Sequence, residues 1–385
     1  MTIKFGISAS TFATEYQEKK PFLMKGAAST KHFSWKDVNE IYQRSDAASN
    51  NLKLSLDGIR AKNEYVESYW DVGTLRHRLI RPVVYDYLRK GATLIANKIT
   101  NEPQIYRFSR AISEYTCRRV VSSAYAAFGT KDSYRCHWDT RDVFAVQLIG
   151  RKRWILYEPS LALPLYTQQS RDYEHMYPCP DEIYMDTILE PGDVLYVPRG
   201  WWHNPLPVGD GTFHLAIGTF PAYAIDYLSW ALNQMPNLLS ARKALSCWEQ
   251  DQETLSSLTT ELSSLLTDQR AYAKFMDEFI GATRVETPLA IDIFGDESVD
   301  MLKDETQLRL ATPFPRHGLH NSYVLANGTK VNISSLSAPL VTTIAEHPGI
   351  DVRELCMRHS RLGRENISKL VTDLCRQDIL EIIHS

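Results

Sequence analysis

At 385 residues the chain is too long for one compact core, so two or three domains are expected. Its 44% hydrophobic and 23% charged residues are the proportions of an ordinary globular protein and exclude disordered and collagen-like classes. A formal net charge of −3 gives no global attraction for nucleic acid or for an anionic membrane.

The N-terminal stretch "MTIKFGISASTFATEYQEKK" has no sustained apolar run, and no later segment approaches the ~18 apolar residues of a spanning helix. A cytoplasmic protein without membrane contact is expected. Cys117, Cys136, Cys179, Cys247, Cys356 and Cys375 are scattered without a C-x-x-C spacing, which fits thiols in a reducing compartment rather than a zinc ribbon or a disulfide framework.

Residues 1–100 read as mixed helix and strand, with polar turns such as "SDAASNN" and a strand at "ATLIANKI". From Val120 to Phe220 short β-rich runs are broken by Gly and Pro: "VVSSAYAAF", "DVFAVQLIG", "RWILYEP", "DVLYVP" and "FHLAIGTF". Regularly spaced short strands with turn signals argue for a sandwich or barrel, jelly rolls included.

After Pro221 the pattern turns helical, through "IDYLSWALNQM" and "ETLSSLTTELSSLLTDQRAYAKFMDEFIG", with apolar residues at three- and four-residue spacing. Such a face needs a partner, either the β domain or a second copy of the chain. The tail offers three helical stretches, "SAPLVTTIAEHPG", "DVRELCMRHSRLG" and "RENISKLVTDLCRQD", then a strand-like "ILEIIHS". That order resembles a winged helix. From Ser337 onward the basic residues Arg353, Arg358, Arg361, Arg364, Lys369 and Arg376 face the acids Glu346, Asp351, Glu354, Glu365, Asp373, Asp378 and Glu381, which leaves no footprint for nucleic acid.

The chemistry concentrates in the β-rich segment. In "CHWDT", His137 and Asp139 stand two residues apart, so on a strand they share a face while Trp138 and Cys136 point the other way. An H-x-D arises by chance in a chain with this many histidines about half the time and means little alone. Its weight comes from the order around it: an apolar strand, a Gly turn, the basic "GRKRW", then "PGDVLYVPRGWWHN". Two ligands do not hold a catalytic metal, and His203 in the last stretch is the best third, brought across a sandwich interior to face the first strand.

"HWDTRDVFAVQLIGRKRWILYEP", "EPGDVLYVPRGWWHNPLP" and "FHLAIGTF" together resemble the JmjC branch of the cupin fold, most closely its ribosomal oxygenase subfamily. The resemblance implies an α+β protein: a double-stranded β-helix (jelly-roll) oxygenase domain over 1–220, a helical dimerisation region over 221–300 and a winged-helix-like domain over 301–385. It implies Fe(II) held by His137, Asp139 and His203, with coordination positions left for 2-oxoglutarate and dioxygen. The expected function is hydroxylation of a protein side chain, an Arg or His of a ribosomal protein, in a homodimer. A peptide-tailoring oxygenase, an N-methyl demethylase with the same iron chemistry, and a zinc-binding cupin isomerase are the alternatives.

Lys152 falls where the family pairs a cation with the distal carboxylate of 2-oxoglutarate, and alternation along "RKRWIL" sets Lys152, Trp154 and Leu156 on one face and Arg151 and Arg153 on the other. Tyr125 matches a family tyrosine that donates to the same carboxylate. One departure stands out: relatives often read H-L-T where this chain has His214-Leu215-Ala216, and alternation turns Thr219 away from the face of Ala216. His214 reads as a strand residue near the site rather than a ligand, and His175, with Arg171, Asp172, Tyr173 and Glu174, as part of a loop insertion.

Overall fold

Alternation along the β-rich segment sorts its side chains onto two faces in the computed structural model, which describes residues 2–100, 102–130 and 135–383. The chain divides into two compact units, Met1–Phe220 and Pro221–Ser385.

The first unit begins with α1 (Ala9–Glu15), β1 (Phe22–Met24), α2 (Trp35–Arg44), β2 (Leu52–Ser55), α3 (Lys62–Tyr65), the hairpin β3 (Val66–Asp71) and β4 (Thr74–Leu79), α4 (Arg81–Arg89), β5 (Thr93–Ala96) and α5 (Pro103–Thr116). Next come β6 (Arg119–Gly129), β7 (His137–Trp138), β8 (Val143–Ile149) and β9 (Lys152–Tyr157), then α6 (Ser170–Tyr173). The unit closes with β10 (Ile183–Leu189), β11 (Val194–Val197), β12 (Trp202–Pro207) and β13 (Gly209–Phe220).

These strands form a larger sheet, β1-β11-β8-β13-β6-β5-β2, and a smaller one, β10-β9-β12-β7. From β6 onward the chain passes repeatedly between them: β6, β8, β11 and β13 lie in the larger, β7, β9, β10 and β12 in the smaller. This winding is the double-stranded β-helix of the JmjC and cupin fold.

Period-two patterning decides which way each residue points. On β13, Phe213, Leu215 and Ile217 pack outward in one cluster with Phe12 of α1, Val38 and Ile41 of α2, and Ile105, Phe108 and Ile112 of α5. Burying each such side chain stabilises by about 1.5–3 kcal/mol, so the early helices are the wall that closes this sheet. Their own residues prepare them for it. Asp37 accepts from the Ser34 backbone N–H at 2.8 Å to start α2, and Pro103 opens α5 where no helical N–H is needed.

The inward residues of β13 are then His214, Ala216 and Gly218. Opposite them, Trp154 and Leu156 of β9 pack with Ala145, Leu189, Leu195, Val197 and Trp201 to fill the space between the sheets. The turn before β9 depends on Gly150 at φ +63°, where a Cβ would lie 2.1 Å from the Gly211 carbonyl oxygen.

The second unit carries α7 (Ala224–Gln234), α8 (Trp248–Thr267), α9 (Gln269–Gly281) and α10 (Ile291–Phe294). The stretch that reads as one long helical pattern breaks at Asp268, whose side chain caps α9 by accepting from the Arg270 N–H at 2.9 Å. There follow β14 (Gln307–Leu310), β15 (Tyr323–Ala326), β16 (Thr329–Asn332), α11 (Ala338–Glu346), β17 (Ile350–Asp351), α12 (Val352–Arg358), α13 (Arg364–Arg376) and β18 (Leu380–Ile383). A small sheet of order β17-β14-β18 packs with the last three helices around Leu340, Ile344, Leu355, Ile367 and Val371. His384 and Ser385 of the strand expected at the C-terminus lie outside the described residues. No helix among the described residues is long and apolar enough to cross a membrane.

Candidate metal centre

His137 opens β7, and in the antiparallel pair with β12 it stands directly opposite His203. The sequence places these strands face to face across the interior. Instead they are neighbours in the smaller sheet, and adjacency brings the rings together, with centroids 4.4 Å apart. Asp139 follows as the chain leaves β7. Its Oδ2 lies 3.7 Å from His203 Nε2, and its carbonyl accepts from the Gly200 N–H at 2.9 Å. Ligand atoms of all three side chains lie within 4.8 Å of one another.

Both imidazoles are oriented by their own backbone. His137 Nδ1 lies 3.0 Å from the Arg135 carbonyl oxygen and His203 Nδ1 3.0 Å from that of Trp201. A carbonyl can only accept, so Nδ1 carries the proton and Nε2 keeps its lone pair for a metal. Burial, reinforced by the neighbouring His137, pushes the His203 pKa down to about 4, so its ring is neutral at physiological pH. Burial works to raise the Asp139 carboxyl, but the Arg141 guanidinium 3.9 Å away outweighs it and helps to hold the group below its ordinary value. Arg141 reaches this position past Gly218, where a Cβ would meet its Cδ at 2.7 Å. Two imidazole nitrogens and one carboxylate oxygen gathered this closely suit a divalent iron or zinc ion.

The backs of the ligand strands are held from outside. Trp138 and Trp202 pair edge to face at 4.7 Å, and the loop between β9 and β10 accepts from both: Trp138 Nε1–H donates to the Gln168 carbonyl at 3.1 Å and Trp202 Nε1–H to Ser160 Oγ at 2.9 Å. His175, Arg171 and Asp172 of this loop are exposed, while Tyr173 and Glu174 are half-buried.

A network that the sequence reading missed locks the approaches to Asp139 and His203. The buried Asp142 carboxylate accepts from Tyr196 Oη at 2.8 Å, from Arg118 at 2.8 Å and from the Arg199 backbone N–H at 3.0 Å. Glu18 adds ion pairs to Arg118 and Arg199. The tyrosine of "GDVLYVP" and the aspartate of "TRD" were the available signal.

Deeper in the interior, Lys152 is only 4% exposed and lies opposite Pro207 and Leu189 in register. Arg153 points outward and pairs with Asp186. Trp154 lies 5.7 Å from the His203 ring and 5.9 Å from that of His214, and Tyr125 stacks on His214 at 5.0 Å. Burial, with Lys152 nearby, drives the His214 pKa well below its ordinary value. Trp154 Nε1 and His214 Nδ1 are both buried and make no hydrogen bond among the described residues. Buried polar atoms of this kind call for a partner, such as a bound polar group or an ordered water. Ala216 faces Ser123 of β6 across the register, and the partly exposed Ser123 hydroxyl shares its inner face. Thr219 turns outward with its Oγ1 buried, as alternation requires.

Residues 94–227 match the family model of the JmjC domain. Among curated relatives, the bifunctional lysine-specific demethylase and histidyl-hydroxylase NO66 of Drosophila persimilis is 25% identical over 224 residues, covering 56% of this chain and 30% of that protein. Ribosomal oxygenase 2 of Rattus norvegicus is 33% identical over 138 residues, 35% of this chain and 29% of that one. The chain thus spans about a third or less of the length of these relatives. Among solved structures, the Escherichia coli ribosomal oxygenase YcfD aligns over 100% of both chains with a TM-score of 0.61 at 17% identity. The same protein in complex with cobalt and 2-oxoglutarate aligns over 99% of this chain and 100% of its own with a TM-score of 0.61 at 16% identity. These structural likenesses speak for the fold.

Proposed function

Residues 94–227 belong to the JmjC family, and from that premise we propose that the chain is an Fe(II)- and 2-oxoglutarate-dependent dioxygenase that hydroxylates a protein side chain, an Arg or His of a ribosomal protein. The observation that carries this reading is a single inner face holding a three-donor metal cluster at one end and a buried lysine beside orphaned donors at the other. The names histidyl-hydroxylase and ribosomal oxygenase among the relatives support the substrate class.

The donor set fits iron. His137 and His203 offer Nε2, and Asp139 offers a carboxylate that Arg141 keeps ionised. Bound there with 2-oxoglutarate and dioxygen, the metal supplies oxidation of an unactivated C–H bond. The protein's own residues do the rest. Lys152 is the cation for the distal carboxylate of the cosubstrate, since that carboxylate buried without a counter-charge would cost several kcal/mol. Tyr125, Trp154 Nε1–H and Ser123 are donors for its oxygens, with Ser123 standing in for the hydroxyl absent at Ala216. Trp154 and Leu156 exclude water from the space between the two ends.

Lysine demethylation by the same chemistry remains the second reading, favoured by the double name of the Drosophila relative. A zinc-binding isomerase would fit the triad but does not call for a buried cation on the same inner face. The deciding experiment is mass spectrometry of host ribosomal proteins with and without the gene. One added oxygen on a single Arg or His that disappears with the gene supports the proposal; no difference anywhere in the ribosomal proteins contradicts it.

For the second unit we propose a helical dimerisation region over 221–300 and a winged-helix-like domain over 301–385 that packs against protein rather than nucleic acid, in a cytoplasmic homodimer. Support comes from α8, none of whose residues is buried although Leu255, Leu258, Leu262 and Leu265 form a stripe along it, and from the exposed Leu239, Leu245 and Trp248 nearby. A mass in solution twice that of the chain, halved by L258D with L262D, is the expected result.

A further inference from the structure

Cys136 and Cys179 place their sulfurs 3.4 Å apart. Cys136 directly precedes the ligand His137 and, by alternation, points away from the interior on the side of Trp138. Cys179 lies in the loop between β9 and β10 that already accepts hydrogen bonds from Trp138 and Trp202. Both thiols are partly exposed, so a small oxidant reaches them without unfolding. Cys179 sits between Pro178 and Pro180, which restrict the backbone on either side of it. A disulfide requires a sulfur separation of about 2.05 Å, so closing the gap is within reach of side-chain rotation.

We infer that Cys136 and Cys179 form a redox modification site that takes a peroxide-class oxidant and closes to a reversible disulfide. One sulfur attacks a peroxide oxygen, forming an S–O bond, breaking the O–O bond and releasing water. The second sulfur then attacks the first, forming the S–S bond and releasing the oxygen as a second water. The two thiols lose two electrons and their protons, and the peroxide gains both. A dithiol reductant reverses the step. Such pairs are rare in reducing compartments unless they sense oxidants.

The bond would close a covalent loop from the residue before His137 to the far end of the loop backing the ligand strands. Among the described residues β7 is a two-residue edge strand paired with β12 alone, so it gains from a second anchor. A link across so long a loop restricts the unfolded chain and raises Tm by about 5 °C.

The test uses the full chain with metal chelated, treated with hydrogen peroxide, so it is independent of any catalytic reading. Expected are a loss of two hydrogen atoms in intact mass, a non-reduced peptide joining Cys136 to Cys179, two fewer alkylatable thiols, and the Tm rise, all reversed by dithiothreitol. C179S, which touches no metal ligand, should keep the reduced Tm and lose the rise. Stable sulfinic acid at Cys136 with Cys179 intact, a cross-link between other cysteines, or no change in thiol count would each overturn the inference.

Discussion

His203 stands opposite His137 in one antiparallel pair, so a single strand register sets the geometry of two proposed metal ligands at once. A slip of β7 by one residue would turn His137 outward and bring Trp138 in, parting the two imidazoles. The tryptophan pair packed behind the histidine pair is what makes that slip costly.

Removing one of these ligands should abolish binding rather than weaken it modestly. Loss of a residue that merely orients a ligand costs about 10–100-fold in affinity, so His137→Ala is expected to weaken metal binding by more than about 100-fold. Tm of the metal-free protein should move little, because His137 is only half-buried. Metal titration followed by thermal melting checks both.

Asp142 bears on the site from a distance. Replacing it with Ala leaves Arg118 and Tyr196 without their shared acceptor and is expected to cost about 3–5 kcal/mol, lowering Tm by roughly 10 °C. Metal affinity should fall as well, since the segment after Asp139 and the loop before His203 both hang on this carboxylate. A Tm unchanged within error would show that the network is ornamental to stability.

The roles proposed for Lys152 and Ser123 separate cosubstrate binding from metal binding. Truncating one member of a buried charge pair costs about 2 kcal/mol or more, so Lys152→Met should raise the KM for 2-oxoglutarate by about 30-fold or more and leave metal affinity alone. Ser123→Ala should raise it only several-fold, as befits one neutral hydrogen bond, and Ala216→Thr in that background should restore it. Steady-state kinetics with varied 2-oxoglutarate decide the point.

How much of this was legible beforehand follows from what kind of information each feature carries. The strands at Val143–Ile149, Lys152–Tyr157 and Val194–Val197 are apolar runs bounded by turns, and alternation along "RKRWIL" turns Lys152 inward and Arg153 outward as the structure has them. Strand β12 was not among the expected strands, and it carries Pro205 and Pro207, which lack the N–H of a ladder bond. They are tolerated because, among the described residues, β7 is so short that β12 has no strand partner on that side beyond His203. The early helices were visible only as mixed structure, since their role is to cover β13 from far away in sequence. The Asp142–Tyr196 hydrogen bond joins residues 54 positions apart and leaves no local periodicity to read.

Acid should destabilise the metal-free fold through His214. Its pKa is depressed below the ordinary 6.5 by burial and by Lys152, so the unfolded chain binds a proton that the folded one refuses. The stability this neutral ring contributes is present above about pH 6.5 and is lost as pH falls from there toward the depressed folded value, by up to about 1.4 kcal/mol per pH unit. His214→Gln should reduce that slope in chemical denaturation between pH 6.5 and 5, with the buried His203 supplying the part that remains. An unchanged slope would place the acid sensitivity elsewhere.

The most direct test of the central claim measures bound metal and succinate release together, with the purified chain supplied with Fe(II), 2-oxoglutarate and a ribosomal-protein peptide mixture in air. The proposal expects about one iron per chain and succinate formed in step with oxygen added to one peptide, both lost in His137→Ala. Zinc at full occupancy that iron cannot replace, with no succinate above the His137→Ala level, would contradict it.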